Sequence, residues 1–597
     1  MKAKLIIVIT LMIIGTGLRA QDAIHDLDFD VQKSSISAVD IDADGDRDIL
    51  IIGENPNGKF AQLFRNNGEM SFEKVASPFA PSAITSVTFG DVNGDGQLDA
   101  LQSGFADSVI VNLYTTNESG DLALDDFYSS LAHIAPSSAI ADLNNDGHAD
   151  ILIFGNHNIE DQRPKIYFGD GTGGFTSESP FDTYKFIDPK VSTVDVDTDG
   201  DLDLWVMAGY EEGIDARFAR LFINDGGTFT ETDPGIIAKG PGSSDWGDYD
   251  GDGDLDLLIG GWGYVNSGED NDMIYRIYKN TGGTFTEAAV FQPFGAFSPS
   301  DASRFADWDN DGDLDVILTG WNPDEGGQRT AFFINTSGTF AAADYNATLP
   351  GISESAVAIS DLDDDGDLDL IINGYSGNEW NGEGSAYNRN VALVIENTTA
   401  GTNAAPAPPA NLSAKANGKA VTFSWDEATD DSTPAASLSY NLFLVDSDGN
   451  YFFYPVADTT SGKLMVQEKG NMQLNNAWTV KGLPYGEYRW GVQAIDHSFA
   501  GSTFAKDNFS HLEGGPLATS LESDALIYPN PNQGQIQVRV NNQIRQLSIL
   551  TMDGKLVRSL NVEAGAKSVQ IPMAAGIYLV RALRADGHST SDKVIVK

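Results

Sequence analysis

The chain has 597 residues, with 36 basic and 87 acidic side chains, a formal net charge of −51 and no cysteine. Such a negative charge argues against nucleic acid or an anionic membrane as a partner, because both are themselves negatively charged. The absence of cysteine excludes disulfide bonds and thiol catalysis, and the length predicts several domains.

Residues 1–20 have the features of a secretory signal peptide. Lys2 and Lys4 precede an apolar run over residues 5–14, and Ala20 stands before Gln21. This pattern predicts cleavage near Ala20 and export of the mature chain. No other stretch of the sequence is long and apolar enough to span a membrane, so we expect no transmembrane segment in the mature chain.

Seven acidic nine-residue loops follow, and they start at residues 40, 91, 142, 195, 248, 307 and 361. Each loop has Asp or Asn at positions 1, 3, 5 and 9 and Gly at position 6, whereas position 12 is never the Glu that an EF-hand requires. Alternating carboxylates, a carbonyl at position 7 and a glycine turn suit Ca²⁺, which takes about six to eight oxygen ligands. Zinc and copper favour Cys or His instead.

The spacing of the loops indicates a β-propeller. Successive loops start 51 to 59 residues apart, a period close to that of a four-stranded blade. In each period a strand of small residues precedes the loop and an apolar strand follows it. A third strand then ends at an Asn turn, and a fourth carries Phe. The seventh period lacks this fourth strand, and we expect residues 27–31, which include Phe29, to complete it and close the ring.

These repeats resemble the FG-GAP or VCBS repeats of integrin-α-type propellers, whose blades carry Asp-x-Asp-x-Asp-Gly-x-x-Asp calcium loops. The resemblance covers residues 25–400 and implies about seven Ca²⁺ sites, with side chains at positions 1, 3, 5 and 9 and the carbonyl at position 7 as ligands. Asn93 and Asn144 replace Asp at position 3, so we expect those two loops to be the weakest. The residues implied as ligands are Asp40, Asp42, Asp44, Asp46 and Asp48; Asp91, Asn93, Asp95, Gln97 and Asp99; Asp142, Asn144, Asp146, His148 and Asp150; Asp195, Asp197, Asp199, Asp201 and Asp203; Asp248, Asp250, Asp252, Asp254 and Asp256; Asp307, Asp309, Asp311, Asp313 and Asp315; and Asp361, Asp363, Asp365, Asp367 and Asp369.

The sequence predicts an all-β chain with two further domains after a seven-bladed propeller over residues 21–402. A Pro-rich linker, 403–410, leads into residues 411–511, which resemble a fibronectin type III domain with Trp425 on its second strand and Tyr488 after Leu483-Pro484. A longer insertion over residues 456–477 departs from that pattern. We expect this domain to act as a spacer.

Residues 525–597 follow a second linker, 512–524. Tyr528-Pro-Asn-Pro531, Met552-Asp-Gly554, Gly576-Ile-Tyr578 and a terminal Lys-Val-Ile-Val-Lys stand in the order seen in type A C-terminal sorting domains of the type IX secretion system, which this segment resembles. The resemblance implies contact with that secretion machinery, removal of the domain, and a protein that is released or attached to the outer surface of the cell. The alternative is a second structural sandwich.

The sequence offers no catalytic constellation. The seven histidines show no metal-ligand spacing, and there is neither a Gly-x-Ser-x-Gly elbow nor a phosphate loop. We therefore expect a protein of adhesion or ligand recognition rather than an enzyme. The alternative is an extracellular polysaccharide lyase or hydrolase built on the same propeller.

Aromatic residues suggest where a ligand binds. In five blades the apolar strand ends in Gly followed by an aromatic residue, and the following loops lengthen in blades 5 to 7. We expect these residues on the face opposite the acidic loops, where they would contact an extracellular glycan or protein. The alternative is that the rings pack between blades. The candidate ligand-binding residues are Trp262, Trp321, Tyr375 and Trp380.

Overall fold

The computed structural model describes residues 23–28, 30–68, 70–107, 109–117, 120–125, 137–155, 163–210, 217–236, 242–264, 271–291, 302–322, 327–343, 349–376, 390–398, 403–512, 525–527, 535–540, 544–551, 555–562, 568–584 and 589–596. The predictions for the signal peptide, Phe29, Trp380 and residues 513–524 lie outside these ranges. The chain divides into two compact units, which are residues 1–413, 423–481 and 487–509, and residues 414–422, 482–486 and 510–597.

Seven four-stranded antiparallel sheets, called blades 1 to 7, form the first part of the first unit. An N-terminal strand, β1 (Ala23–Asp26), precedes them. Blades 1 to 3 contain β2 (Gln32–Val39), β3 (Asp48–Asn55), β4 (Gly58–Asn66) and β5 (Phe72–Val75); β6 (Ala83–Gly90), β7 (Asp99–Phe105), β8 (Val109–Thr116) and β9 (Leu122–Leu124); and β10 (Ser137–Ala141), β11 (Asp150–Phe154), β12 (Lys165–Gly169) and β13 (Phe175–Glu178). Blades 4 to 6 contain β14 (Phe186–Val194), β15 (Asp203–Tyr210), β16 (Arg217–Asp225) and β17 (Thr228–Thr232); β18 (Gly242–Gly247), β19 (Asp256–Tyr264), β20 (Asn271–Thr281) and β21 (Thr284–Phe291); and β22 (Ser303–Ala306), β23 (Asp315–Asn322), β24 (Gly327–Thr336) and β25 (Thr339–Ala342). Blade 7 contains β26 (Ser353–Ser360), β27 (Asp369–Tyr375), β28 (Asn390–Glu396) and β1.

The first strands of the blades line the centre of a closed ring. Each contacts the first strand of the next blade, from β2 round to β26, and β26 contacts β2 again. Small residues such as Ser37, Ala139 and Ala358 allow these strands to pack closely around the centre.

The apolar second strands form the core between blades. Strand β11 is buried along its whole length. Between blades 7 and 1, Ile49 and Ile51 pack in one cluster with Ile371 and Val394. Full burial of such a side chain contributes about 1.5–3 kcal/mol, so these contacts between blades hold the ring together.

The N-terminal strand closes the ring as predicted, but the position of the strand in the sequence was wrong. Ala23 to Asp26 pair antiparallel with β28 of blade 7, where Ala23 faces Glu396. The strand ends at Asp26, where the Asp28 amide donates to Asp26 Oδ1 at 2.9 Å and Asp28 takes a left-handed φ of 54°. Only Leu27 extends the pairing, through a 3.0 Å hydrogen bond to Ala392 O.

A second β-rich module follows the propeller in the first unit. We call residues 423–481 and 487–509 the cap module, and residues 456–477 within it the cap insertion. The strands of this region are β29 (Ala410–Asn417), β30 (Ala420–Asp426), β31 (Ser439–Asp446), β32 (Tyr451–Phe453), β33 (Ala477–Val480), β34 (Gly486–Ile495) and β35 (Ala505–His511), with a 3-10 helix at Ala435–Ser437. They form the sheets β29-β30-β33 and β32-β31-β34-β35. The likeness to fibronectin type III stays a prediction.

The C-terminal part of the second unit is also built from two sheets, β36-β37-β40 and β39-β38-β41-β42. Leu547, Ile549, Ile571 and Val580 belong to its core. The strands are β36 (Ala525–Ile527), β37 (Gln535–Val540), β38 (Ile544–Thr551), β39 (Leu556–Asn561), β40 (Ser568–Pro572), β41 (Gly576–Arg584) and β42 (Ser589–Val596). Among the described residues, no helix has the length and apolar character to cross a membrane.

Candidate metal centres

Each acidic loop joins the first strand of its blade to the second. Position 6 needs glycine because its φ lies between 78° and 99° in all seven loops. Position 4 is also left-handed in every loop, with φ between 55° and 75°, although it is Ala43 in loop 1 and Thr198 in loop 4. Such residues cost on the order of 1–3 kcal/mol each, and the surrounding loop must hold them in place. Sequence reasoning missed this second turn.

The loops bring the carboxylates at positions 1, 3 and 5 together. In five loops one oxygen from each of these three residues lies within 4.8 Å of the other two. Loops 2 and 3 fall outside this group because Asn93 and Asn144 stand at position 3. The converging sets are Asp40, Asp42 and Asp44; Asp195, Asp197 and Asp199; Asp248, Asp250 and Asp252; Asp307, Asp309 and Asp311; and Asp361, Asp363 and Asp365.

Backbone amides fold each loop around the position 1 carboxylate. In loop 6 the Asp311 amide donates to Asp307 Oδ1 at 3.1 Å, and the Gly312 amide donates to Asp307 Oδ2 at 3.0 Å. The position 5 carboxylate in turn accepts the amide of position 7, as Asp311 Oδ1 does from Asp313 at 3.0 Å. These bonds hold the three carboxylates at the same side of the turn.

Positions 7 and 9 fasten the loop to the rest of its blade. Asp315 accepts the Trp308 amide at 3.0 Å and, from the third strand, the Asn335 amide at 2.7 Å. At position 7, Asp313 Oδ2 accepts the Ser337 amide at 2.7 Å. A carboxylate oxygen that accepts one N–H retains a lone pair, so all three bonds are compatible with metal binding. The ligand roles of positions 7 and 9 stay predictions.

An asparagine at the end of the third strand links neighbouring blades. Asn335 Nδ2 in blade 6 donates to Tyr249 O of loop 5 at 2.9 Å, and Asn66 in blade 1 donates to Leu362 O of loop 7 at 2.7 Å. Asn224, Asn280 and Asn397 make the corresponding bond to loops 3, 4 and 6. The sequence predicts only a turn at these residues, yet the side chain of each also donates a hydrogen bond to the loop of the preceding blade.

Burial and neighbouring charges disfavour the charged form of several loop carboxylates, chiefly at positions 1 and 9. Burial is the largest cause and raises the pKa of Asp307 to about 7 and that of Asp315 to about 8, with a further increase from the neighbouring Asp309. In loop 7 burial raises the pKa of Asp369 to about 9. A cation among these oxygens would reverse the effect by favouring the charged form.

Buried oxygens at position 3 fit such a cation. Oδ1 of Asp42, Asp197, Asp250 and Asp363 is buried and has no hydrogen-bond partner in the described residues. An unsatisfied buried oxygen is costly unless something compensates it. A hard divalent cation held by three carboxylates would do so, and the all-oxygen donor set matches Ca²⁺.

The cap insertion covers several of the acidic loops. It supplies Gln473 and Asn475 to loop 4 and Met465 and Gln467 to loops 1 and 7. In the sequence this segment departs from the fibronectin type III pattern, and in the structure it forms much of the contact with the loops. The bonds are Asp40 N to Met465 O (2.8 Å), Asp361 N to Gln467 Oε1 (2.7 Å), Asp195 N to Gln473 Oε1 (2.8 Å) and Asn475 Nδ2 to Asp195 Oδ2 (2.9 Å).

Other parts of the cap module reach the remaining loops, so it contacts all seven. His148 at position 7 of loop 3 stacks on Phe452, with ring centroids 4.8 Å apart. His497 lies buried against loop 6, and burial lowers its pKa to about 4. The bonds are Tyr451 N to Gly94 O (2.8 Å), Lys481 N to Asn145 O (2.5 Å), Ser437 Oγ to Asp248 Oδ2 (2.7 Å), Ser498 Oγ to Asp307 Oδ2 (3.3 Å) and a His497 Nδ1 contact with Gly312 O (2.9 Å).

The three described aromatic candidates, Trp262, Trp321 and Tyr375, lie at the opposite ends of the second strands from the acidic loops. Trp262 pairs with Met273 near the end of β19, and Trp321 pairs with Gln328 near the end of β23. Tyr375 ends β27 and is half-buried. Because a strand runs from one face of its blade to the other, the backbone positions agree with the expected face.

Two family matches were found in the chain. Residues 40–101, 142–206, 195–259 and 307–372 match FG-GAP-like repeats, and these segments include all seven acidic loops. Residues 526–597 match the secretion system C-terminal sorting domain of Por-type secretion. The chain is thus a propeller of FG-GAP-like repeats with a type IX sorting domain. That domain indicates export by type IX secretion to an extracellular or cell-surface location.

Comparison with solved structures gives distant similarities. A fungal alcohol oxidase of the AA5 family in complex with copper is 12% identical, with a TM-score of 0.38, and the match covers 82% of this chain and 98% of that one. The six-bladed Aleuria aurantia lectin is 11% identical, with a TM-score of 0.31, and the match covers 62% and 98%. Two fibronectin type III domains of chicken tenascin are 14% identical, with a TM-score of 0.12, and the match covers 31% and 98%. No curated protein matches the chain. Scores this low carry no inference about function.

Proposed function

We propose that the acidic loops bind Ca²⁺ and that the bound ions stabilise the propeller. The observation that carries this proposal is the set of buried position 3 oxygens without a hydrogen-bond partner, each beside the carboxylates of positions 1 and 5. Two like charges about 4 Å apart repel by roughly 4 kcal/mol at an effective dielectric near 20, so a loop without its ion is strained.

Removal of calcium tests this proposal. Excess EDTA should lower the Tm of the mature chain substantially, and added Ca²⁺ should restore it. Mg²⁺ should not, because it favours small octahedral sites and retains its water. Differential scanning calorimetry measures both effects, and an identical melting curve with and without EDTA would refute calcium stabilisation.

We further propose that the exported protein recognises an extracellular glycan or protein through the face opposite the acidic loops. The cap module bonds to every acidic loop, so a large ligand is obstructed on that side. Trp262, Trp321 and Tyr375 stand at the other ends of their strands, in neighbouring blades. Aromatic rings there would stack on sugar rings or anchor a protein epitope.

A glycan array and a variant in blade 6 test the recognition face. Trp321→Ala should weaken binding of the ligand found on the array by about 1–3 kcal/mol, as hot-spot truncations do, with calcium content and Tm nearly unchanged. Phe105→Ala is the matched control, because Phe105 follows Gly104 at the same point of blade 2 and is exposed, but it lies outside blades 5 to 7, where the candidate ligand-binding residues are. A large fall in Tm for Trp321→Ala, without a separate binding defect, would indicate that the ring packs between blades.

The same polysaccharides should be screened for turnover. We expect binding without release of products. Products that accumulate in proportion to protein concentration would favour the alternative of a polysaccharide lyase or hydrolase. The catalytic residues would then be sought in the loops on the face opposite the acidic loops.

A further inference from the structure

One residue of each third strand stands next to the acidic loop, and its chemistry differs from blade to blade. We call it the flanking residue. It directly precedes the residue whose amide bonds to the position 9 carboxylate, as Lys279 precedes Asn280 and Ile334 precedes Asn335. The seven flanking residues are Arg65, Thr115, Phe168, Ile223, Lys279, Ile334 and Glu396.

In blade 5 the flanking residue places a positive charge among the carboxylates of the loop. Lys279 Nζ forms an ion pair with Asp250 and a second one, of 2.8 Å, with Asp252 Oδ2. Asp250 and Asp252 are positions 3 and 5 of loop 5, and with Asp248 they form one of the converging sets. The ammonium group therefore contacts two of the three carboxylates that would hold a cation.

The other blades differ from this arrangement. In blade 1, Arg65 reaches one carboxylate of its loop, Asp42 Oδ2, at 2.9 Å. In blades 4 and 6 the flanking residue is isoleucine, which supplies no charge. In blade 7 it is Glu396, an additional acid that pairs with His25 of the closing strand at 3.1 Å.

We propose that Lys279 is a built-in counter-ion of loop 5, which makes loop 5 a weaker calcium site than loop 6, whose five aspartates stand at the same positions. This inference rests on the proposed calcium binding of the loops. An ion entering loop 5 has to displace an ammonium group from two carboxylates. Loop 6 has the same five aspartates as loop 5, but its flanking residue, Ile334, carries no positive charge.

Loop sequence alone does not predict this difference in affinity. Loop 5 has Asp at all five odd positions, so its own residues predict a strong site, because affinity rises with the charge of the ligands. An ammonium group that neutralises part of this charge lowers the affinity. Loop 5 keeps the arrangement of carboxylate oxygens that suits an ion, while Lys279 already compensates part of its negative charge.

Lys279→Met in the mature chain tests the proposal, with Arg276→Gln as a matched control. Arg276 lies on the same strand and pairs at 2.5 Å with Glu287, away from any acidic loop. Both variants remove one positive charge from blade 5, so an effect of overall charge would appear in both. Calcium titration by calorimetry, with native mass spectrometry to count bound ions, gives the affinities and the stoichiometry.

Lys279→Met should tighten one calcium site, that of loop 5, roughly ten-fold or more, because calcium affinity depends on ligand charge, whereas Arg276→Gln should leave the isotherm unchanged. In EDTA the Lys279→Met variant should melt below the wild type, since its carboxylates have lost their counter-ion, and Ca²⁺ should remove the difference. An isotherm of Lys279→Met equal to that of a calcium-binding wild type overturns this inference alone. No calcium bound by either protein overturns both this inference and the proposed function.

Discussion

Loops 5 and 6 have almost the same sequence but different surroundings. Both carry Asp at positions 1, 3, 5, 7 and 9, and they differ only at positions 2 and 4. Lys279 is the flanking residue of loop 5 and pairs with two of its carboxylates. The flanking residue of loop 6 is Ile334, which packs on the apolar cluster of blades 6 and 7. The loop sequence thus sets the arrangement of oxygens, and the neighbouring strand sets how much of their charge is left for an ion.

Transferring the lysine to blade 6 should give the largest change. Ile334→Lys places an ammonium group beside Asp309 and Asp311, so we expect the affinity of loop 6 for calcium to fall roughly ten-fold or more, since ligand charge tunes affinity. One ion fewer should be counted by native mass spectrometry at limiting Ca²⁺. Ile334→Met is the control for packing, because a swap that conserves volume costs less than about 1.5 kcal/mol. Equal stoichiometry in the lysine and methionine variants would show that the flanking residue does not control its loop.

A smaller effect should appear in the pH dependence of stability without metal. Burial raises the pKa of Asp307 to about 7 and that of Asp315 and Asp256 to about 8, from an ordinary value of 3.8. The folded protein then holds protons that the unfolded chain has released, so the stability of the metal-free protein falls as pH rises from about 4 to about 8. Calcium takes the place of these protons, and the gain in Tm on adding Ca²⁺ should therefore increase over the same range.

Calorimetry at several pH values with EDTA or Ca²⁺ measures this gain. In Lys279→Met the gain should be larger than in the wild type, because loop 5 then contributes as loop 6 does. A gain that is independent of pH between 5 and 8 would contradict the assignment of these protons to the loops.

The regular parts of the fold follow from the sequence. The small-residue strand, the acidic loop and the apolar strand recur in register, so the strands of each blade can be read from local pattern. The glycine at position 6 also predicts the left-handed turn found there. The second turn at position 4 escapes this reading because Ala43 and Thr198 have no preference for a left-handed backbone and are held there by the loop around them.

The closing strand of blade 7 shows a limit of prediction from such local patterns. Phe29 resembles the Phe of the other fourth strands and so predicts residues 27–31 as the closing strand, yet the pairing with β28 is made by Ala23 to Asp26. Strand pairing is decided by backbone hydrogen bonds over hundreds of residues of sequence separation, and a single aromatic residue does not fix its register. The need for a closing strand was predictable, but its residues were not.

The sequence predicts a spacer at residues 411–511, whereas the cap module in this region bonds to every acidic loop. Gln467, Gln473 and Asn475 lie in an insertion without periodicity, and their partners are loops more than 100 residues away. Polar contacts of this kind leave no pattern in one sequence, because each depends on two surfaces that only the folded chain brings together.

The sequence by itself determined the repeats, the acidic loops with their oxygen donors, the all-β class and the export signal at the C terminus, because each of these is written in residues close together along the chain. Only the tertiary structure decided which strand closes the ring, which asparagine holds the neighbouring loop, and that the cap module bonds to every acidic loop. It also set Lys279 against Asp250 and Asp252, a contact between residues in different strands. Electrostatic interactions depend on distance in space rather than along the chain, so loops alike in sequence need not be alike as sites.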